Sequence, residues 1–149
     1  MDKGGESRRH RAKRRRNQIF VDTGAWIALA VEDDAHHEEA VQAYPDLLRK
    51  YRLITTNLVV AETYILLRRE AGHQAAIEFL ERLAASPRIR KVYSTPELER
   101  EAEEILRRYR DQDFSYTDAV SFALMRQEGI REAFAFDAHF RTMGFLLIP

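Results

Sequence analysis

The sequence predicts a three-layer α/β sandwich built on a central, mainly parallel sheet. Short apolar runs recur at residues 18–21, 53–54, 89–93, 133–136 and 145–148, mostly without the polar alternation of a half-exposed sheet. The longer segments between them carry apolar residues at three- and four-residue spacing, so strands alternate with helices. With 149 residues, 45% of them hydrophobic, the chain is long enough for one core and one domain. It contains no cysteine, which excludes disulfide frameworks, thiolate metal sites and cysteine nucleophiles and fits a reducing, cytoplasmic setting. No apolar run approaches the roughly 18 residues needed to span a bilayer, so a soluble protein is expected.

Each element has a local cause. Gln18-Ile19-Phe20-Val21 reads as a buried strand ending at Asp22, and Thr23 is expected to cap a helix carrying Trp26, Ile27 and Leu29. A second helix is expected over 35–49, capped by Asp33 or Asp34, with a kink or break near Tyr44 because Pro45 cannot donate a backbone bond. Leu53 and Ile54 form the next strand, and Thr55-Thr56-Asn57 starts a strongly apolar helix that runs through Leu67 and stops at Gly72. A further helix spans 74–84 before the Ser86-Pro87 break, and a strand covers 89–93. Pro96 opens a charged helix over 97–110, whose alternating signs describe a solvated face. Ser115 and Asp118 make a capping-box pattern for a helix running to Gln127, stopped at Gly129. A strand over 133–136 ends at Asp137, and one helical turn and Gly144 lead to the last strand, 145–148.

The formal net charge of zero hides two opposed regions. Residues 1–16 hold eight cations and two anions, a net of +6, so the remaining residues, with 16 cations and 22 anions, carry −6. Residues 1–16 have almost nothing apolar to bury and are expected to be a disordered arm ahead of a folded domain over 17–149. The arm reads either as a solvated extension or as a salt-sensitive phosphate contact, with Arg11, Lys13, Arg14, Arg15 and Arg16 its densest cations.

Four acids stand where burial normally excludes charge. Asp22 and Asp137 end apolar strands, and in an open parallel sheet the carboxyl ends of strands face the ligand crevice. Glu62 has Leu58, Val59, Ile65 and Leu66 as its helical neighbours, and Asp118 sits in a first helical turn beside Ser121 and Phe122. Singly, each has a structural explanation as a cap, a turn residue or the partner of a buried arginine. Together in one cleft they would repel one another and raise some of their pKa values, a conflict that a divalent cation removes. Oxygen ligands without cysteine or a histidine cluster select Mg²⁺ or Mn²⁺ over Zn²⁺. His36 and His37 read as surface polar residues, and Trp26 and Tyr64 as core.

The segments FVDTGAW (20–26), VVAETY (59–64), SYTDAVSFALM (115–125) and FAFDAHF (134–140) resemble the PIN domain, specifically the ribonuclease toxins of VapBC toxin–antitoxin pairs. The resemblance covers about residues 18–148. It implies a PIN-like sheet with an acidic pocket and Mg²⁺- or Mn²⁺-dependent cleavage of RNA. By position, Asp22, Glu62, Asp118 and Asp137 match the pocket acids, with Asp22, Asp118 and Asp137 as the nearest metal ligands and Glu62 orienting water or joining the shell. Thr23 and Thr117 are similar to hydroxyl residues that line such a pocket. Asp113 is either an accessory acid or a solvated loop residue, and His139 either touches substrate phosphate or bonds to its own loop. The resemblance also implies a homodimer through helices 23–31 and 56–69, and a small antitoxin whose tail enters the acidic groove. The competing reading is a non-catalytic RNA-binding or scaffold module that binds through its arm.

Overall fold

A computed structural model of the chain describes residues 17–149, and the basic arm lies outside them. The strands are β1 (Gln18–Val21), β2 (Arg52–Thr56), β3 (Ile89–Val92), β4 (Glu132–Phe134) and β5 (Leu146–Ile148). They form one sheet in the order β3-β2-β1-β4-β5, and every neighbouring pair is parallel. The helices are α1 (Thr23–Ala30), α2 (His37–Lys50), α3 (Asn57–Ala71), α4 (His73–Ala85), α5 (Pro96–Arg108), α6 (Tyr116–Glu128) and the short α7 (His139–Thr142).

From β1 the chain steps outward to β2 and β3, then crosses back to β4 and leaves the other way to β5. Right-handed crossovers therefore place α1–α4 on one face and α5–α7 on the other. The packing agrees, with α1 against α2 and α3, α3 against α4, and α5 against α6. On one face Tyr44 of α2 lies against Phe134 of β4. On the other, Phe140 meets Phe20, Phe122 and Phe145. The sheet is covered twice, which explains why Ile19, Phe20 and Val21 are all fully buried and why their sequence shows no polar alternation.

Several local expectations are corrected. Pro45 does not break α2, which runs unbroken from His37 to Lys50. Its start is also later than expected: His36 occupies the cap position, and Asp34 instead accepts a bond from the His36 amide at 2.9 Å. Thr23 is the first residue of α1 and not its cap; Asp22 takes the cap position without a side-chain cap bond. β2 extends through Thr56, whose hydroxyl accepts from the Val59 amide at 3.1 Å and so caps α3. β4 ends at Phe134, so Asp137 stands three residues past the strand.

Candidate active site

β1 and β4 are neighbours whose outgoing connections run in opposite directions, and this switch point opens a crevice at their carboxyl ends. Asp22 is fixed on the β1 side. Its amide donates to the Phe134 carbonyl at 3.1 Å, and its own carbonyl accepts from the amides of Ala25 and Trp26, which starts α1. The carboxylate, with no capping bond to make, is left in the crevice although the residue is only 6% exposed. Burial pushes its pKa up to about 7, the backbone amide of Thr23 opposes that rise, and the like charges of Asp118, Asp137 and Glu62 add to it. All four predicted acids therefore share one electrostatic environment.

Asp118 is held by the first turn of α6. Ser115 Oγ accepts from the Asp118 amide and Asp118 Oδ2 accepts from the Ser115 amide, both at 3.0 Å, so the predicted capping box is formed. The same Oδ2 lies 3.4 Å from Nδ1 of His139. Asp137 reaches this point through a tight turn, its Oδ1 accepting from the His139 amide at 2.9 Å and lying 3.4 Å from His139 Nδ1. Phe114 meets the imidazole edge-on, with ring centres 5.0 Å apart. One ligand atom each from Asp118, Asp137 and His139 falls within a mutual 4.8 Å. Glu62, half-buried on α3, acts on Asp22 from the opposite layer.

The other sequence candidates are placed differently. Thr23 Oγ1 is buried without a hydrogen-bond partner among the described residues, beside Asp22. Thr117 is half-buried next to Asp118, and Asp113 is exposed in the loop ahead of α6. The arm cations, Arg11 to Arg16, lie outside the described residues. The sequence predicts oxygen donors alone; the structure adds an imidazole nitrogen between two carboxylates. The Asp-Ala-His spacing accounts for the Asp137 half of this contact, because a turn closed by Asp137 onto the amide two residues on brings the His139 ring back to the carboxylate; the Asp118 half has no local signal. His36, expected as a plain surface polar residue, is indeed exposed, but its ring is stacked on Phe136.

These donors fit a divalent cation. Asp118, Asp137 and His139 bring one ligand atom each within 4.8 Å of one another. Asp22, its pKa raised first by burial and then by the like charges around it, is a carboxylate whose ionised form a cation would favour.

Comparison with known proteins agrees with this architecture. The family model of the PIN domain matches residues 19–146. The chain is 39% identical over 128 residues to the 23S rRNA-specific endonuclease VapC20 of Mycobacterium tuberculosis, covering 86% of this chain and 95% of that protein. It is 33% identical over 105 residues to a VapC ribonuclease of Archaeoglobus fulgidus, covering 68% of this chain and 66% of the relative. The crystal structure of VapC20, described as a Sarcin-Ricin loop cleaving toxin, superposes with a TM-score of 0.80 over 86% of this chain and 96% of that one. FitAcB from Neisseria gonorrhoeae shares the fold, with a TM-score of 0.63 at 16% identity over 88% of this chain and 96% of that one. By fold, by the span of the matched family model and by its likeness to VapC20, the chain belongs to the PIN domain family, among its VapC-like members.

Proposed function

We propose that this protein is a divalent-metal-dependent endoribonuclease of the VapC toxin type. The observation that carries the reading is the convergence of Asp22, Glu62, Asp118 and Asp137 on the crevice between β1 and β4. The likeness to VapC20 and to a VapC ribonuclease supports RNA as the substrate. Asp22, Asp118 and Asp137, joined by Nδ1 of His139, would hold Mg²⁺ or Mn²⁺. The bound cation would neutralise the carboxylates, acidify a water and stabilise negative charge developing on the phosphodiester oxygens.

The chain's own groups divide the remaining work. Asp118 is pre-set by its capping box, so little ordering is needed when substrate arrives. Asp22 and Glu62 both stand outside the tight Asp118–Asp137–His139 group; Asp22 would complete the cation's ligands from the β1 side, and Glu62 would orient the attacking water and accept its proton. As that water bonds to phosphorus, the bond to the leaving oxygen breaks.

The test is cleavage of single-stranded RNA and of 23S rRNA, the target of the similar VapC20, in Mg²⁺ or Mn²⁺. EDTA and Asp118→Asn are each expected to lower the rate at least ~100-fold. Activity that survives both overturns the reading.

For partners, a small antitoxin protein is proposed, and an open apolar groove between α1, α2 and α4 supports it. The groove is lined by Trp26, Leu29, Tyr44, Leu48 and Phe79 and encloses about 480 Å³. A homodimer is proposed through α3, whose Ile65 is 55% exposed; α1 contributes less than the sequence suggests, because Ala25, Trp26 and Ala28 are buried in the protomer's own core. Light scattering at micromolar concentration tests the dimer, a monomer counting against it.

A further inference from the structure

We propose that the outer face of the His36 imidazole, backed by Phe136, is a stacking subsite for one unpaired nucleobase of RNA beside the acidic crevice. The inference rests on the ribonuclease reading and names how that site would grip its substrate. His36 is exposed, and its ring lies on Phe136 almost parallel, 7° between planes with centres 4.2 Å apart. Phe136 directly precedes Asp137, so the stack stands within one residue of a pocket acid.

The stack is anchored from below. Phe136 meets Phe134 edge-on at 6.2 Å, and Phe134 lies against Tyr44 at 6.4 Å, so a file of rings runs from under α2 to the surface. The backbone of His36 is fixed as well. Its amide donates to Asp34 Oδ1 at 2.9 Å, and its carbonyl accepts from the Ala40 amide at 3.0 Å. The next residue, His37, bonds through Nδ1 to the Ala28 carbonyl at 2.7 Å, tying the start of α2 to α1. An exposed aromatic plane held this firmly loses little freedom on binding.

The chemistry of the surroundings selects a base over a phosphate. Asp33, Asp34, Glu38 and Glu39 flank His36 in the sequence, and Asp137 follows Phe136, so carboxylates outnumber the imidazoles of His36 and His37 on these segments and disfavour a phosphate. A nucleobase is uncharged, and its π-face stacks on an aromatic ring whatever its identity. The scissile phosphate would lie in the crevice while a neighbouring base, splayed from its stack, rests on His36.

The experiment uses the full chain and a short single-stranded RNA carrying 2-aminopurine at each position in turn, with EDTA present to hold the RNA uncut. A second arm measures steady-state cleavage of the same RNA in Mn²⁺. The expected result is quenching of 2-aminopurine at one favoured position, abolished in His36→Ala and retained in His36→Trp. His36→Ala is expected to raise KM roughly tenfold with kcat changed less than about twofold, since stacking on one ring is worth about that factor. Absence of quenching at every position, or quenching and KM in His36→Ala equal to wild type, overturns the subsite. Failure to cleave RNA in any divalent cation overturns the ribonuclease reading instead, and the quenching arm still decides the subsite by itself.

Discussion

With its carboxyl buried beside three other acids, Asp22 has a pKa of about 7 in the cation-free fold, against 3.8 for the free side chain. A carboxyl whose folded pKa lies above its unfolded one favours the folded state fully below pH ~4, and that contribution disappears as pH rises through about 7. Metal-free protein is therefore expected to lose on the order of 4 kcal/mol between pH 4 and pH 8 from this group. Urea unfolding across that range measures it: Asp22→Asn should flatten the slope, and Mn²⁺ added at pH 8 should restore stability to the wild type. Equal slopes in wild type and variant would remove the assigned burial cost. His139 carries a second residue-scale expectation. A nitrogen donor between Asp118 and Asp137 favours Mn²⁺ over Mg²⁺, so His139→Ala should weaken Mn²⁺ binding about tenfold and Mg²⁺ binding less. Titration calorimetry with each ion separates this from a purely hydrogen-bonding role, which would weaken both alike. The acids stood out in the sequence because each breaks a local rule, following an apolar run or having apolar helical neighbours, although Asp137 proves to lie three residues past its strand. The role of His139 did not, because it depends on Asp118, 21 residues away, being brought against Asp137 by the crossing from β3 to β4.

Elements were legible wherever one physical cause dominated. The doubly covered strands declared themselves as unalternated apolar runs, and α6 by a capping box that the structure forms with both bonds. Boundaries failed where tertiary contacts override local preference, and α2 is the clearest instance. Pro45 removes the amide that would bond to the Val41 carbonyl, and the helix runs through it on a side where Val41 is 45% exposed. On either side of the proline, Tyr44 packs on Phe134 and Leu47 is 4% exposed, and these contacts hold both halves of the helix in line. A helix-interior proline costs about 3 kcal/mol, and the stiffer unfolded chain returns up to about 1 kcal/mol of that. Pro45→Ala is accordingly expected to stabilise the protein by roughly 2 kcal/mol, read as a higher urea midpoint at an unchanged denaturant slope. An unmoved midpoint would mean that α2 already tolerates the missing bond without cost.

At the scale of the whole molecule, the zero net charge is an electrostatic division of labour. Residues 17–149 carry −6, and four of their acids, Asp22 and Asp118 buried, Glu62 half-buried and Asp137 exposed, are gathered where the proposed substrate must bind. Such a body repels a polyanion at long range, and a pocket cation would neutralise only part of that charge. Residues 1–16 carry +6 and join the body immediately before β1, the strand that delivers Asp22. A flexible or ordered arm would serve equally, since phosphate binding of this kind depends on charge and reach and not on sequence. The proposed role of the arm is thus to supply the affinity that the body opposes. Deleting residues 1–16 should weaken binding of single-stranded RNA and flatten the plot of log affinity against log salt by about 0.7 for every phosphate the arm had neutralised. The same deletion should leave urea stability of the domain unchanged, because residues 1–16 have almost nothing apolar to contribute to a core. Binding isotherms from about 50 to 300 mM salt, on the full chain and the truncated one, decide it. A truncated protein with the same slope and affinity would return the arm to a solvated extension and leave the acidic crevice to hold RNA through its cation alone.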